Sequence, residues 1–234
     1  MTTFRRAAAE AVGTAFLLIA VVGSGIAAQR LSPHDTGLQL LENALATGAA
    51  LVAIILAVGP VSGAHLNPVV TLVDAAAGGV RWREAPAYIG AQLSGAVTGT
   101  IVANLMFSLP AVSISGHTRS GGGLWLAEVV AVVGLLLVIF GVVRGGRAGA
   151  APLAVGAYIT GAYFFTASTS FANPAVTVAR TLSDSFAGIA PSSAPGFVAA
   201  QLAGGVLGLG VVLLLYPNTR RIAPAIVVQR EEVA

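Results

Sequence analysis

The chain alternates long apolar stretches with short polar connections. The apolar stretches lie at about 8–28, 40–60, 86–108, 124–143, 150–167 and 197–216. Each is close to the ~20 residues that a helix needs to cross about 30 Å of hydrocarbon. Only helices and closed barrels satisfy the backbone inside lipid, and these stretches are too long and too continuously apolar for barrel strands. The pattern predicts an all-α membrane protein with six transmembrane helices.

The composition agrees with a protein embedded in a lipid bilayer. Of the 234 residues, 56% are hydrophobic and 9% are charged, whereas a soluble domain is roughly 25% charged. The absence of cysteine excludes a disulfide-stabilised secreted domain and a cysteine-ligated metal site. The net charge is +3, but the arginines lie between apolar stretches rather than in one cluster, so we expect no nucleic-acid partner.

The positions of the arginines predict the orientation of the chain. With the amino terminus inside the cell, the cytoplasmic segments hold Arg5, Arg6, Arg81, Arg83, Arg144, Arg147, Arg220, Arg221 and Arg230. The outer segments hold Arg30, Arg119 and Arg180. This bias fits the positive-inside rule and predicts a multi-pass protein of the plasma membrane with both termini in the cytoplasm.

Two further segments are neither transmembrane spans nor polar loops. Residues 61–77 follow the second span and residues 168–187 follow the fifth. Both are too short to cross the bilayer and too apolar for a solvated loop. Irregular backbone at membrane depth occurs only where protein or a water-filled cavity surrounds it. We therefore expect two re-entrant segments.

The two halves of the chain resemble each other. Each half contains a Glu with a Gly 13 residues later, an Asn-Pro box, and a Gln with Gly at +3 and +7, beginning at Glu10 and Glu128, Asn67 and Asn173, and Gln92 and Gln201. Each half holds three spans, so the halves enter the membrane from opposite sides. The sequence predicts one domain over 1–234 that is an inverted repeat, with halves of about 1–115 and 116–234.

The Asn-Pro boxes predict two short helices that start inside the membrane. Proline suits the first helical turn, and asparagine before it is a favoured N-cap. About ten residues would cover ~15 Å, half of the bilayer. Two such helices meeting at their amino termini place positive potential at the centre, which repels cations and protons. This arrangement favours a passive pore for small neutral solutes.

These features together resemble the major intrinsic proteins, the aquaporin and aquaglyceroporin family. The resemblance rests on SGAHLNPVVT at 62–71, ANPAVT at 172–177 and the six-span inverted repeat. It implies a right-handed six-helix bundle with two half-helices, assembled as a homotetramer with one pore per protomer. It implies no cofactor, no metal ion and no catalytic residue. It also implies that Glu10 and Glu128 hold the re-entrant loops, and it assigns the pore boxes to Asn67, Pro68, Val69, Asn173, Pro174 and Ala175.

The sequence departs from the family pattern at two places. Val69 stands where the first box usually has alanine. Val176 stands where an arginine usually follows the second box and narrows the selectivity filter. An arginine follows one turn later, so we expect Arg180 in the outer vestibule.

The family's spacing also assigns the other residues of the selectivity filter. Counting back from the boxes gives Thr47 and Ser170. For the fifth span, counting back from Asn173 gives Gly161, whereas counting forward from the start of the span gives Tyr163. We favour Tyr163, because the loop before the second box is two residues short. The expected filter is Thr47, Tyr163, Ser170 and Val176.

A filter without its arginine favours a solute larger than water. The stretch FTASTSFANPAVTVAR at 165–180 is similar to aquaporins encoded in bacterial arsenic-resistance operons. The resemblance implies passive passage of arsenite, As(OH)3, and of related metalloids and glycerol. A water-selective pore or a general glycerol and urea channel is the alternative.

Two other classes of protein fit the sequence less well. Ion-coupled secondary transporters also use inverted repeats, but they usually place ionisable residues at the midplane, where this chain has Asn, Pro, Val and Ala. A membrane-embedded enzyme is disfavoured because no catalytic constellation of serine, histidine and acidic residues is evident.

Overall fold

The computed structural model describes residues 1–216, and the predicted cytoplasmic residues Arg220, Arg221 and Arg230 lie outside them. The described part is all-helical, and its helices are α1 (Thr3–Leu31), α2 (Thr36–Ser62), α3 (Pro68–Ala77), α4 (Ala85–Met106), α5 (Gly122–Arg144), α6 (Ala151–Phe165), α7 (Pro174–Ala179) and α8 (Ala194–Leu215). Short 3₁₀ turns precede α6 at Ala148–Ala150 and follow α7 at Arg180–Leu182. Residues 1–216 contain no strand.

Six of these helices are long and apolar enough to cross a membrane: α1, α2, α4, α5, α6 with its preceding turn, and α8. The prediction of an all-helical, six-span protein is confirmed. Helices α1 and α2 are longer than the apolar stretches that predicted them, because their ends are set by capping. Thr2 accepts a hydrogen bond from the backbone of Arg5, and Asp35 from that of Leu38.

The two re-entrant helices differ in length. Helix α3 has the ten residues that the sequence predicted, but α7 has only six, and the 3₁₀ turn of Arg180–Leu182 then continues it. Both begin at a proline directly after a capping asparagine, as expected for Pro68 and Pro174.

The helices pack as two interlocked halves. Helix α1 packs against α2 and α4, and α5 packs against α6 and α8. Helix α2 crosses α6 between the halves. Each half-helix also contacts the other half, α3 against α8 and α7 against α4. We call the face of the bundle where α1 begins the proximal face, and the face where α1 ends the distal face.

Glycines allow α1 and α4 to approach closely. A Cβ atom on Gly95 would lie 2.2 Å from the carbonyl oxygen of Ala11, and one on Gly99 would lie 2.2 Å from that of Ala15. Both distances are far below van der Waals contact. The two glycines therefore form the helix-packing seam that their spacing predicts.

A second close approach lies where α2 crosses α6. A Cβ atom on Gly156 would lie 2.8 Å from the carbonyl oxygen of Gly48, and one on Gly48 would lie 3.0 Å from that of Gly156. The sequence analysis did not find this crossing, because the two glycines are single residues without a repeated spacing. The crossing brings the two halves together at equivalent positions.

The unusual Val69 of the first box is a packing feature of α3. It is buried, and a Cβ atom on Gly205 of α8 would lie 2.8 Å from its Cγ1. Gly205 lies four residues after the repeated glutamine of its half, where the other half has Ala96. The first half therefore combines a larger box residue with a glycine on α8, whereas the equivalent positions of the other pairing are Ala175 and Ala96.

The α1–α4 seam is tested by adding a methyl group. We expect Gly99→Ala to lower the stability of the protein by about 1–3 kcal/mol, the usual cost of overpacking, because the methyl group meets backbone rather than a movable side chain. Thermal unfolding of the protein in detergent measures the effect. Gly90→Ala on the same helix is the control, since a Cβ atom there meets nothing within 4 Å. Equal stability of the two variants would contradict the seam.

The pairing of Val69 with Gly205 is tested by a double-mutant cycle. We expect Gly205→Ala to destabilise the protein in the wild-type background and to cost little in a Val69→Ala background. The expected coupling is roughly 1–2 kcal/mol, within the range for residues in contact. Gly210→Ala on α8 is the control, because a Cβ atom there meets nothing within 4 Å. An equal cost of Gly205→Ala in both backgrounds would contradict the pairing.

Candidate functional site

Glu10 fixes the irregular segment before α3. Its Oε1 accepts hydrogen bonds from Ser62 Oγ at 2.6 Å and from the backbone nitrogen of His65 at 2.9 Å. Its Oε2 accepts from the backbone nitrogen of Leu66 at 2.6 Å and from Gln92 Nε2 at 2.8 Å. The side chain is fully buried. Four donors around one buried carboxylate satisfy its charge and hold the segment in place.

Glu128 fixes the irregular segment before α7 in the same way. It accepts from the backbone nitrogens of Phe171 at 2.9 Å and Ala172 at 2.8 Å, and from Gln201 Nε2 at 2.6 Å. It is also fully buried. The two glutamates therefore act as structural acceptors for the two re-entrant segments, as the family resemblance implies.

The segments held by the glutamates have an unusual backbone. Ala64 and Leu66 have φ values of 49° and 51°, and the equivalent Ser170 and Ala172 have values of 51° and 50°. Left-handed backbone is unfavourable for residues with a side chain and persists only where the surroundings enforce it. Here the glutamate hydrogen bonds to consecutive backbone nitrogens supply that enforcement.

The two box asparagines meet at the centre of the bundle. Asn67 Nδ2 donates to the carbonyl oxygen of Ala172, and Asn173 Nδ2 donates to that of Leu66, each at 2.7 Å. Each Oδ1 caps its own helix by accepting from the backbone nitrogen two residues later, at 2.9 and 3.0 Å. An amide nitrogen carries two hydrogens, so each asparagine keeps one for another acceptor.

The asparagines line a cavity of about 80 Å³ inside the bundle. Pro68, Val69, Pro174 and Ala175, the other residues of the boxes, are not among the residues that line it. The predicted filter residues and the vestibule candidate all line it, namely Thr47, Tyr163, Ser170, Val176 and Arg180. We call Thr47, Tyr163, Ser170 and Val176 the distal ring.

Tyr163, not Gly161, faces this cavity from α6. The Tyr163 hydroxyl lies 3.2 Å from Thr47 Oγ1, and the residue is buried. Gly161 is exposed and does not line the cavity. Counting from the start of the helix therefore gives the residue that borders the cavity, because the loop before the second box is short.

The other two members of the distal ring differ in polarity. Ser170 is 3% exposed, and its Oγ has no hydrogen-bond partner among residues 1–216. A buried hydroxyl without a hydrogen-bond partner is costly. Val176 presents only an apolar side chain at this level and is 5% exposed.

The Arg180 side chain is buried in the cavity wall and is not at the surface of the bundle. The residue is 2% exposed, and its guanidinium carbon lies 3.4 Å from the centre of the Phe171 ring. Its Nε donates to the carbonyl oxygen of Ala187. The stacking and the hydrogen bond hold the cation one helical turn beyond Val176.

A second arginine supports this wall, and the sequence analysis did not find its role. Arg119, in the connection between α4 and α5, donates to the carbonyl oxygens of Gly188 at 2.9 Å and Phe186 at 3.1 Å. Burial lowers its pKa from the ordinary value. The consecutive carbonyls of 186–188 thus accept from two arginines. Backbone carbonyls have no signature in a sequence, and Arg119 stands in a glycine-rich stretch that is typical of a solvated loop.

The comparisons with known proteins agree with this geometry. The family model described as major intrinsic protein matches residues 1–170. Aquaglyceroporin AqpS of Rhizobium meliloti is 49% identical over 218 residues, which cover 93% of this chain and 93% of that protein. Aquaporin Z of Bradyrhizobium diazoefficiens is 31% identical over 227 residues, which cover 89% of this chain and 91% of that protein.

A solved structure has the same fold. The X-ray structure of the aquaglyceroporin from Plasmodium falciparum matches with a TM-score of 0.73 at 24% sequence identity, covering 93% of this chain and 99% of that one. Family members are channels rather than enzymes. With its family match over most of the chain and two close relatives over nearly all of it, the chain belongs to the major intrinsic protein family.

Proposed function

We propose that this protein is a passive channel for arsenite, As(OH)3, and glycerol, with the distal ring as its selectivity filter. The observation that carries the proposal is Val176 on the cavity wall. The family resemblance places an arginine at this position, where it narrows the selectivity filter and donates hydrogen bonds to the passing solute. A valine in its place leaves an apolar side chain with no charge and no donor.

The chemistry of the distal ring suits a neutral triol. Thr47, Tyr163 and Ser170 offer hydroxyl groups, and the Ser170 hydroxyl has no protein partner in the described part of the chain. Val176 and the ring of Phe171 offer apolar surface to the same cavity. As(OH)3 and glycerol each carry three hydroxyl groups, which can bond on one side while the apolar side packs against the other.

The centre of the pore disfavours ions. The amino termini of α3 and α7 meet there, so their dipoles add positive potential on the permeation path. Arg180 adds a fixed positive charge further along the wall. No Asp or Glu of residues 1–216 lines the cavity. This arrangement fits passive flux of neutral molecules better than coupling to ions.

The orientation and assembly complete the proposal. Among the described residues, Arg5, Arg6, Arg81, Arg83, Arg144 and Arg147 lie toward the proximal face, and Arg30, Arg119 and the buried Arg180 lie in the distal half. The positive-inside rule then makes the proximal face cytoplasmic.

The family resemblance implies a homotetramer in the plasma membrane. The direction of flux follows the solute gradient.

The relatives support a pore wider than that of a water channel, since a protein 49% identical over nearly the whole chain is described as an aquaglyceroporin. A water-selective pore is the second candidate. The observation that favours it is Arg180 on the wall of the same cavity, where a cation could still limit larger solutes.

Stopped-flow light scattering on proteoliposomes tests the proposal. We expect vesicles that contain the protein to re-swell faster in arsenite and glycerol gradients than empty vesicles, without saturation and without a proton-motive force. Arsenite and glycerol permeabilities at the level of empty vesicles would refute the proposed solutes. Fast water flow in those same vesicles would then identify a water channel.

The filter is tested by returning the missing arginine. We expect Val176→Arg to lower arsenite and glycerol permeabilities by about tenfold, an added barrier of roughly 1.4 kcal/mol, and to affect water less. Val176→Met is the control for side-chain length without charge, and we expect it to have a smaller effect. Equal loss of all three permeabilities in Val176→Arg would indicate misfolding, and no loss would refute the role of this position.

A further inference from the structure

Two arginines beside the distal end of the cavity have no counter-ion in the protein. The guanidinium carbons of Arg119 and Arg180 lie 5.4 and 3.4 Å from the centre of the same Phe171 ring. Neither arginine forms an ion pair within residues 1–216. Buried charges in proteins are normally paired, and an arginine cannot lose its proton to avoid the cost of burial. These two like charges are therefore not neutralised by the described part of the chain.

Two carboxylates of the distal half could have neutralised these arginines, but both are engaged elsewhere. Glu128 accepts hydrogen bonds from two backbone nitrogens and from Gln201. Asp184 is exposed, and its Oδ1 accepts from the backbone nitrogen of Gly116 at 3.0 Å and lies 3.7 Å from His117 Nε2. The positive charge beside the cavity thus remains available to an anion from outside the protein.

The terminal nitrogens of Arg180 are unused donors on the cavity wall. The Nε atom donates to the carbonyl oxygen of Ala187, whereas the two terminal nitrogens donate to no acceptor within residues 1–216. They are also not among the polar atoms that are sealed from solvent without a partner. Because Arg180 lines the cavity, these donors face its interior. A guanidinium presents its donors as a planar fork, which suits a negatively charged acceptor.

The carbonyl groups of three consecutive residues hold this fork in place. The carbonyl of Ala187 binds Arg180, and the flanking carbonyls of Phe186 and Gly188 accept from Arg119 at 3.1 and 2.9 Å. The stacking of Arg180 on the aromatic ring fixes the plane of its guanidinium. Donors that are already fixed bind an anion with little further loss of conformational freedom. The site is therefore preorganised.

We propose that the distal end of the cavity binds a small monovalent anion of the halide class, held by the terminal nitrogens of Arg180 in the field of Arg119. The apolar side chain of Val176, one helical turn deeper, offers this anion no hydrogen bond, so moving past it would cost hydration without replacement. The anion therefore stays at the distal end, where it takes up space on the path of a neutral solute and lowers the flux. The effect on flux rests on the proposed function, whereas the binding of the anion does not.

Thermal unfolding in detergent measures the binding without any transport. Sodium chloride is compared with sodium gluconate at equal ionic strength, because gluconate is a bulky anion. We expect chloride to raise the melting temperature of the wild type in a saturable way, since a ligand that binds the folded state alone stabilises it. Arg180→Gln removes the charge and keeps an amide that can donate to Ala187, and we expect this variant to lose the chloride dependence.

The matched control is Arg30→Gln, which removes an arginine of the distal half that does not line the cavity and donates to the carbonyl oxygen of Phe107. We expect it to keep the full chloride dependence. Arg180→Lys keeps the charge without the fork, and we expect it to need at least threefold more chloride for half of the stabilisation. This second variant tests the site even if Arg180→Gln does not fold.

Permeability in proteoliposomes measures the effect on flux. We expect the glycerol permeability of the wild type to be at least twofold lower in saturating chloride than in gluconate. The permeability of Arg180→Gln should be the same in both salts, and that of Arg30→Gln should respond as the wild type does. If the wild type conducts water but not glycerol, water permeability is compared in the same way.

The outcomes distinguish this inference from the proposed function. Equal melting temperatures of the wild type in chloride and gluconate overturn the anion site, as does a chloride effect that persists unchanged in both variants of Arg180. Stabilisation by chloride without any change in permeability overturns the position of the anion on the permeation path. If the wild type conducts neither arsenite nor glycerol, the proposed solutes fail, and chloride stabilisation that depends on Arg180 still supports the anion site.

Discussion

Two buried carboxylates determine the shape of this pore. The segments that carry His65 and Phe171 are not helical, and the interior of a membrane bundle offers their backbone nitrogens no water. Glu10 and Glu128 each bind two consecutive nitrogens of these segments, so the left-handed residues on either side stay in place. Without these acceptors, the buried backbone nitrogens would have no hydrogen-bond partner, and the irregular conformation would be unfavourable.

The same hydrogen bonds position the re-entrant residues that face the cavity. Leu66 and Ala172, which donate to the glutamates, also accept from the box asparagines of the opposite half. The asparagines in turn cap α3 and α7. One continuous network therefore joins the buried charges, the strained loops and the helix termini. Ser170 and Val176 of the distal ring belong to this framework, whereas Thr47 and Tyr163 come from α2 and α6.

Much of the architecture could be predicted from the sequence. The spans follow from apolar length, and the half-helices follow from a capping asparagine before a proline, both of which are local properties of the chain. The features that could not be predicted depend on how irregular segments fold and on which segments meet. The stacking of Arg180 on Phe171 and the carbonyls around Arg119 require knowledge of the folded chain. The short α7 also had no local signal, since the residues after Ala179 do not include a helix-breaking Gly or Pro before position 188.

The exchange of half-helices between the two repeats has a consequence for biosynthesis. Helix α3 packs against α8, the last described span, and α7 packs against α4. When only the first repeat has been synthesised, α8 is absent. Helix α3 then lacks its contact with α8, and Val69 lacks its contact with Gly205. Within the first repeat, α3 keeps only its packing against α4. The wall of the cavity is therefore complete only when both repeats are present, and neither half alone can form the pore.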